Sequence, residues 1–512
     1  MKKSYFSPDS ETIIGEKDFV FGMMKVNPKL DNVVSFKCEG NYIVDWKDGT
    51  IENYETGMEA SHTYDYDTIK NPFLDGESKL IHFQITPQEN HKLTLIDFSV
   101  MDKKYDWIKR WECVELYFNT PHLTEIIFKR DEDNFINVEK ISIVKHAMKS
   151  MEGLFHQLDN LEEAIVLGTS NVINMRGMFA RCKNLKEINS MDTWKVTNME
   201  SMFQGCKSIK NIPMMDTTNV INMRCMFDSC ENVIDIPKLN TINVKDMGFM
   251  FYECKKLPCI PELNTSEVLN MGNMFNGCFR IQTIPLLDTS KVTNMQGMFF
   301  NCLELRTIPQ IDTSNVTSMA SMFDGCWALT KVPTLDTSNV VNMRSMFTYC
   351  RNLITFSFST TSKVEDMGNM FRGCRNLVKI PMLDTSRVTN MDDMFYDCKF
   401  LEEVPALDTS KVNSMVCMFH ECRSLRKVPL LNTSSVTNMY GTFRFCSDLE
   451  SIPLLDTSNV TNMGSTFEGC TNLKSIPKLN LNKVMNFEDA FEGCTALTTI
   501  IQPSEHEEMV GM

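Results

Sequence analysis

The chain has 512 residues, too many for one ordinary hydrophobic core, so two or more cooperative units or a quasi-one-dimensional array are expected. Hydrophobic residues at 43% and charged residues at 23% exclude a disordered or collagen-like chain. A formal charge of -15 argues against nucleic acid as a partner, because such binders usually carry a basic footprint.

Residues 1–15 read as an N-terminal segment. Met1-Lys2-Lys3 leads into Ser4-Tyr5-Phe6-Ser7-Pro8-Asp9 without an apolar core, so no Sec signal is read. No run in the chain approaches the roughly 18 apolar residues that span a bilayer, and no membrane insertion is expected. Over residues 16–105 a small all-β sandwich is predicted. Asp48-Gly49 supplies a tight hairpin turn after Tyr42-Ile43-Val44-Asp45-Trp46, and Ile81–Ile85 and Leu93–Phe98 are further strands. Trp46-Lys47-Asp48-Gly49 followed by His62-Thr63-Tyr64 resembles the Trp-x-Asp-Gly and His-Thr-Tyr signatures of PKD-type immunoglobulin-like domains.

Residues 106–165 read as N-terminal capping coils. Val114–Phe118 and Leu123–Phe128 are extended segments expected to continue a sheet and seal the array that follows. Met151, Leu154, Phe155, Leu158 and Leu161 form a degenerate first coil with leucine in place of cysteine.

From 166 to 500 the chain repeats. Cysteine recurs every 24 residues from Cys182 to Cys494, fourteen times, with phenylalanine three residues before each and valine ten before. In one coil Val316, Met319, Met322, Phe323 and Cys326 follow the spacing i, i+3, i+6, i+7, i+10, which lines one stripe of an α-helix. In the next, Leu335-Asp336-Thr337-Ser338 supplies side-chain oxygens to cap such a helix. Leu329, Val332 and Pro333 read as a short extended segment, since proline cannot continue a helix. The predicted fold class is therefore an α/β repeat solenoid of fourteen coils, with one short helix and one short strand per coil, preceded by the small sandwich. Residues 501–512 form an acidic tail expected to fray.

The coil Leu-Asp-Thr-Ser-x-Val-Thr-Asn-Met-x-x-Met-Phe-x-x-Cys-x-x-Leu-x-x-Ile-Pro, matched closely at Leu287–Pro309 and Leu383–Pro405, resembles the BspA-like leucine-rich-repeat surface proteins. The resemblance implies a leucine-rich-repeat fold and binding without catalysis. With no export signal read, the expectation is a phage virion component, such as part of a tail fibre, baseplate or head decoration. It would contact other virion proteins through its N-terminal domain, and a host surface protein or glycan through the solenoid. A bacterial cell-surface adhesin and a purely structural scaffold within a particle stand as alternatives.

The cysteine column lacks the C-x2-C pairs of metal clusters, so its thiols are read as buried small hydrophobes. The Asp and Asn residues one period apart, such as Asp288, Asp312 and Asp336, offer a carboxylate ladder for calcium, but helix capping accounts for the same residues. No metal or cofactor is assigned. The eight histidines are scattered without a catalytic pattern, and no enzyme is expected. A sharper signal lies just after the series cysteine. There Phe279, Leu303 and Trp327 form an apolar stripe, and Arg351, Arg375, Lys399 and Arg423 continue it as a basic strip, together the candidate partner-binding site.

Overall fold

The computed structural model describes residues 18–29, 32–69, 73–75, 77–100, 112–128 and 137–500, so the terminal segments 1–15 and 501–512 lie outside the described residues. The chain divides into two compact units, Met1–Val220 and Ile221–Met512.

The first unit is built on strands. These are β1 (Phe19–Val26), β2 (Val33–Glu39), β3 (Tyr42–Asp45), β4 (Ile51–Tyr54), β5 (Glu59–Thr63), β6 (Phe73–Asp75), β7 (Ser78–Pro87) and β8 (Leu95–Asp97), followed by β9 (Glu112–Asn119), β10 (Glu125–Ile127), β11 (Asn137–Lys145), β12 (Glu163–Val166) and β13 (Glu187–Ile188). One sheet runs β13-β12-β11-β9-β1-β7-β3-β4, with β6 beside β7, and a second runs β10-β8-β2-β5. Phe36 of the second sheet packs on Phe83 of the first at 5.6 Å between ring centres and on Trp46 at 5.8 Å, which makes a two-sheet sandwich around an aromatic core.

The shape of the Trp-x-Asp-Gly segment is fixed locally. Lys47 and Gly49 are left-handed, with φ of 58° and 107°, and turn β3 into β4. Asp48 Oδ2 lies 2.7 Å from His62 Nε2, and the His62 ring stacks on Trp46 at 4.7 Å, pinning the turn to β5. Of the two segments expected to extend the sheet, β9 does so beside β1, whereas β10 pairs in parallel with β8 of the smaller sheet.

In the second unit the repeats contradict the expected helix. Among the described residues of the whole chain the helical content is a 3-10 turn at Thr169–Asn171; each repeat instead carries consecutive tight turns. The residues five and one before the series cysteine are left-handed, as at Ser321 (φ 54°) and Gly325 (φ 75°). They turn alternate peptide groups outward. Met319, Ser321, Phe323 and Gly325 donate their N–H groups to the carbonyls of Asn342, Arg344, Met346 and Thr348 in the next repeat at 2.8–3.0 Å. Met322, Asp324 and Cys326 donate three residues back, to Met319, Ser321 and Phe323. Backbone groups that a helix would pair internally are thus shared between neighbouring repeats.

The side-chain pattern nevertheless points inward as the spacing requires: Val316, Met319, Met322, Phe323 and Cys326 are all fully buried. Phenylalanine rings stack from repeat to repeat, Phe299 to Phe323 and Phe323 to Phe347 each at 5.5 Å. All series cysteines are free thiols, thirteen of them buried, and Cys326 Sγ donates to the Phe299 carbonyl at 3.0 Å. Burial pushes the Cys326 thiol well above its ordinary pKa.

The Leu-Asp-Thr-Ser segment does not cap a helix. Asp336 Oδ1 accepts from the Ser338 N–H at 2.9 Å, closing an Asx turn. The threonine beside it is core: Thr313 is buried, and its hydroxyl donates to the Asp336 carbonyl of the next repeat at 2.8 Å. The extended segment after the cysteine is also thinner than expected, forming β14 (Ser475–Ile476), β15 (Thr499–Ile500) and single parallel bridges such as Lys427 to Ser451. The result is a β-rich repeat fold with almost no helix among the described residues.

Candidate binding surface

Side chains flanking the left-handed positions are the ones that each repeat leaves outside. Along the row just after the cysteine, Phe279 and Leu303 are half-buried and Trp327 is 42% exposed. The guanidinium of Arg351 lies 4.3 Å from the centre of the Trp327 ring, a cation–π contact. The apolar stripe and the basic strip therefore meet at that pair. Farther along, Arg375 Nε donates to Asp397 Oδ2 at 2.8 Å, Lys399 lies 3.6 Å from the same carboxylate, and Arg423 pairs with Glu421 at 2.7 Å. Much of the strip's positive charge is thus balanced by acids one residue before the cysteine, a neighbouring row that a reading of a single column does not include.

A second row, two residues before the cysteine, carries more chemistry than the first. Arg372 lies 4.1 Å from the Tyr396 ring centre and 3.0 Å from Asp393 Oδ1. Tyr396 stacks on His420 at 4.5 Å with the rings 4° apart, and His420 meets the edge of Phe445 at 5.8 Å. Arg444 lies over Phe445 at 4.9 Å and donates to Glu468 Oε1 at 2.8 Å. Glycines make room for rings in the adjoining row, one residue before the cysteine. At Gly373 (φ 72°) a Cβ would stand 2.5 Å from Tyr349 Cδ1, and at Gly469 a Cβ would collide with the Phe445 ring.

His420 is only 7% exposed, and its Nδ1 has no hydrogen-bond partner among the described residues. Burial, and then the Arg444 cation, hold its pKa below the usual imidazole range, so the ring is neutral. Burial, reinforced by Asp393, pushes the neighbouring Cys417 thiol up to about 11, so it is not a thiolate at neutral pH. The surface offers stacking faces, guanidinium groups and carboxylates, which suit recognition; it does not offer an activated nucleophile at this histidine. Sequence reasoning passed over Arg372, Tyr396, His420 and Arg444 because their column also holds Phe300, Asp324 and Thr348 and shows no single property.

Among the described residues no group of three or more histidine, cysteine, aspartate or glutamate side chains is placed to hold a metal ion, and no helix is long and apolar enough to cross a membrane. The recurring aspartates are occupied as turn acceptors, as Asp288 Oδ1 is by the Ser290 N–H at 3.0 Å.

The model of one protein family, described as "Mycoplasma protein of unknown function, DUF285", matches residues 125–234, 149–258, 184–285, 226–306, 279–356, 355–449 and 425–510. None of these stretches reaches the Trp46–Gly49 segment, and no comparison supports the expected PKD-type domain. No curated protein matches the chain. Among solved structures the chain is similar to a leucine-rich repeat protein from Bacteroides ovatus, at 19% identity over 78% of this chain and 91% of that one with a TM-score of 0.34. A leucine-rich repeat protein from Eubacterium ventriosum shows 16% identity over 77% and 94%, with a TM-score of 0.35. The leucine-rich repeat protein of T. pallidum shows 25% identity over 37% and 76%, with a TM-score of 0.23.

Proposed function

Since the chain belongs to the DUF285 family, for which only an unknown function is described, we propose from its own surface that it is a non-catalytic binding protein displayed on a cell or a particle. The observation that carries this reading is the contiguous stack in which half-buried Arg372 lies over half-buried Tyr396 and Tyr396 over buried His420, side chains fixed by a backbone that neighbouring repeats hold in place. Preorganised aromatic and arginine side chains are the residue types that anchor protein and glycan partners. On this reading the repeats of the second unit stack as a solenoid, and the Trp327–Arg351 pair extends the same contact surface.

The test is saturable binding of the labelled, purified chain to cells of its host. Arg372→Glu combined with Trp327→Glu is expected to lower that binding at least tenfold without moving the thermal melt. Binding equal to that of the unaltered chain would remove this surface from consideration.

The narrower form of the proposal places the protein on a phage particle, attached to other virion proteins through its N-terminal domain; a bacterial cell-surface adhesin is the alternative. Mass spectrometry of purified particles and of peptides shaved from intact cells separates them by where the chain is recovered.

A further inference from the structure

A different face of the second unit carries a pattern that the binding surface does not use. Eight residues after the series cysteine, next to a half-buried proline, the chain leaves one side chain pointing outward. In four successive repeats that side chain is both apolar and exposed: Met382 is 74% exposed, Leu430 72% and Leu454 65%, with Ala406 exposed between them, whereas Phe358, one repeat earlier, is half-buried against Phe347 and Phe356. An unbroken exposed apolar row of this kind is unusual on a monomer's surface.

A charged row runs beside it, four and five residues after the cysteine, about four residues of extended chain away. Here the sign alternates by repeat: Lys379, then Glu402 and Glu403, then Arg426 and Lys427, then Glu450, then Lys474. The outer members are satisfied in place, with Lys379 pairing Glu403 at 2.9 Å and Lys474 pairing Glu450 at 3.0 Å. The inner Glu402, Arg426 and Lys427 are exposed and form no ion pair among the described residues.

The midpoint of the apolar row lies between the repeats of Cys398 and Cys422, and over the same four repeats, from Lys379 to Glu450, the charges are arranged about that midpoint, with Lys474 lying beyond them. The apolar row extends two repeats to either side of it. The charge row changes sign across it, so a repeat on one side and its counterpart on the other carry opposite charges. That is the condition for a surface to be complementary to its own reverse. A two-fold axis lying in the face at that midpoint, parallel to the extended segments, would set Leu430 against Ala406 and Met382 against Leu454. It would also set Arg426 against Glu402 and Lys427 against Glu403. A surface contacts a rotated copy of itself in this way in an isologous interface. An axis centred on a repeat would instead bring like charges together.

We propose that this face is a homodimer interface in which two copies of the chain pack antiparallel through the Met382–Leu454 row. The large-against-small match of Leu430 and Ala406 closes the centre, and Glu402, Arg426 and Lys427, which form no ion pair among the described residues, gain opposite charges across the interface.

Sedimentation over a concentration series tests this on the full chain. The unaltered protein is expected to reach twice the mass of one chain, and Leu430→Glu, at an exposed site that leaves the fold unchanged by circular dichroism, to weaken dimerisation at least tenfold. The charge pattern gives a second arm. A variant carrying Arg426→Glu and Lys427→Glu has only acids at the centre, and one carrying Glu402→Lys and Glu403→Lys has only bases. Each alone is expected to be monomeric, and the two mixed in equal amounts to form a one-to-one dimer. A monomeric unaltered chain, a dimer indifferent to Leu430→Glu, or a mixture that stays monomeric would overturn the proposal.

Discussion

The sandwich of the first unit and the repeats of the second bury similar aromatic rings in opposite ways. In the sandwich each ring has its own set of neighbours: Trp46 touches Phe36, His62, Tyr64 and Phe83, each at a different angle. In the repeats each ring of the column stacks on its counterparts one period away, and Phe323 stacks on Phe299 and Phe347 within 8° of parallel. A core of unique contacts is cooperative because its members depend on one another. A column of identical contacts sums interfaces, so its damage is local.

The largest effects test that contrast. Trp46→Ala and Phe323→Ala each remove a fully buried ring and are expected to cost about 3–5 kcal/mol. Where the cost appears should differ. Hydrogen exchange on the Trp46 variant should rise across both sheets of the sandwich, whereas on the Phe323 variant it should rise only in the repeats bearing Phe299, Phe323 and Phe347. Loss of protection along the whole second unit would show that the repeats are as cooperative as the sandwich.

A middle-sized effect comes from left-handed glycines in the two regions. Gly57, between β4 and β5, has φ 75° and open space where a Cβ would go, so Gly57→Ala meets only backbone strain of about 1–2 kcal/mol. Gly325 has the same φ of 75°, but a Cβ there would strike Asn301 Oδ1 of the preceding repeat. Gly325→Ala is expected to cost more than Gly57→Ala, by denaturant titration of both; equal costs would mean that neighbouring repeats yield more easily than their shared hydrogen bonds imply.

The smallest effect is one of pH. Burial pushes the Asp324 carboxyl up to about 7, above its ordinary range. A carboxyl whose folded pKa is raised contributes stability that is fully present below the unfolded pKa and lost as pH rises through the folded one. Asn in its place imitates the neutral acid. Asp324→Asn should therefore stabilise the second unit by about 1–2 kcal/mol near pH 8, allowing for partial solvent access, and make no difference near pH 4. A gain of the same size at both pH values would point to packing instead of ionisation.

The period, the buried columns and the free thiols were legible because they depend on which residues face inward, and an inward stripe fixes that whatever the backbone does. The helix was misread for the same reason. A spacing of i, i+3, i+7 is met by a helix and equally by turns whose left-handed residues fall between the apolar ones. The distinguishing signal lay in the columns five and one before the cysteine. Gly297, Ser321, Ser345, Asn369 and Asp393 in one, and Gly277, Asn301, Gly325 and Gly373 in the other, are residue types that tolerate positive φ. The contacts along the candidate surface were half legible. Trp327 and Arg351 share a column and meet, whereas the Tyr396–His420 stack depends on contacts between repeats in a column of mixed residues.

The most direct test of the account is far-UV circular dichroism of the intact chain. Alternating left- and right-handed turns shared between repeats predict a spectrum of strand and turn without the helical double minimum. A strong helical double minimum would mean that each repeat folds its own helix, and the shared backbone bonding that carries both proposed surfaces would be contradicted.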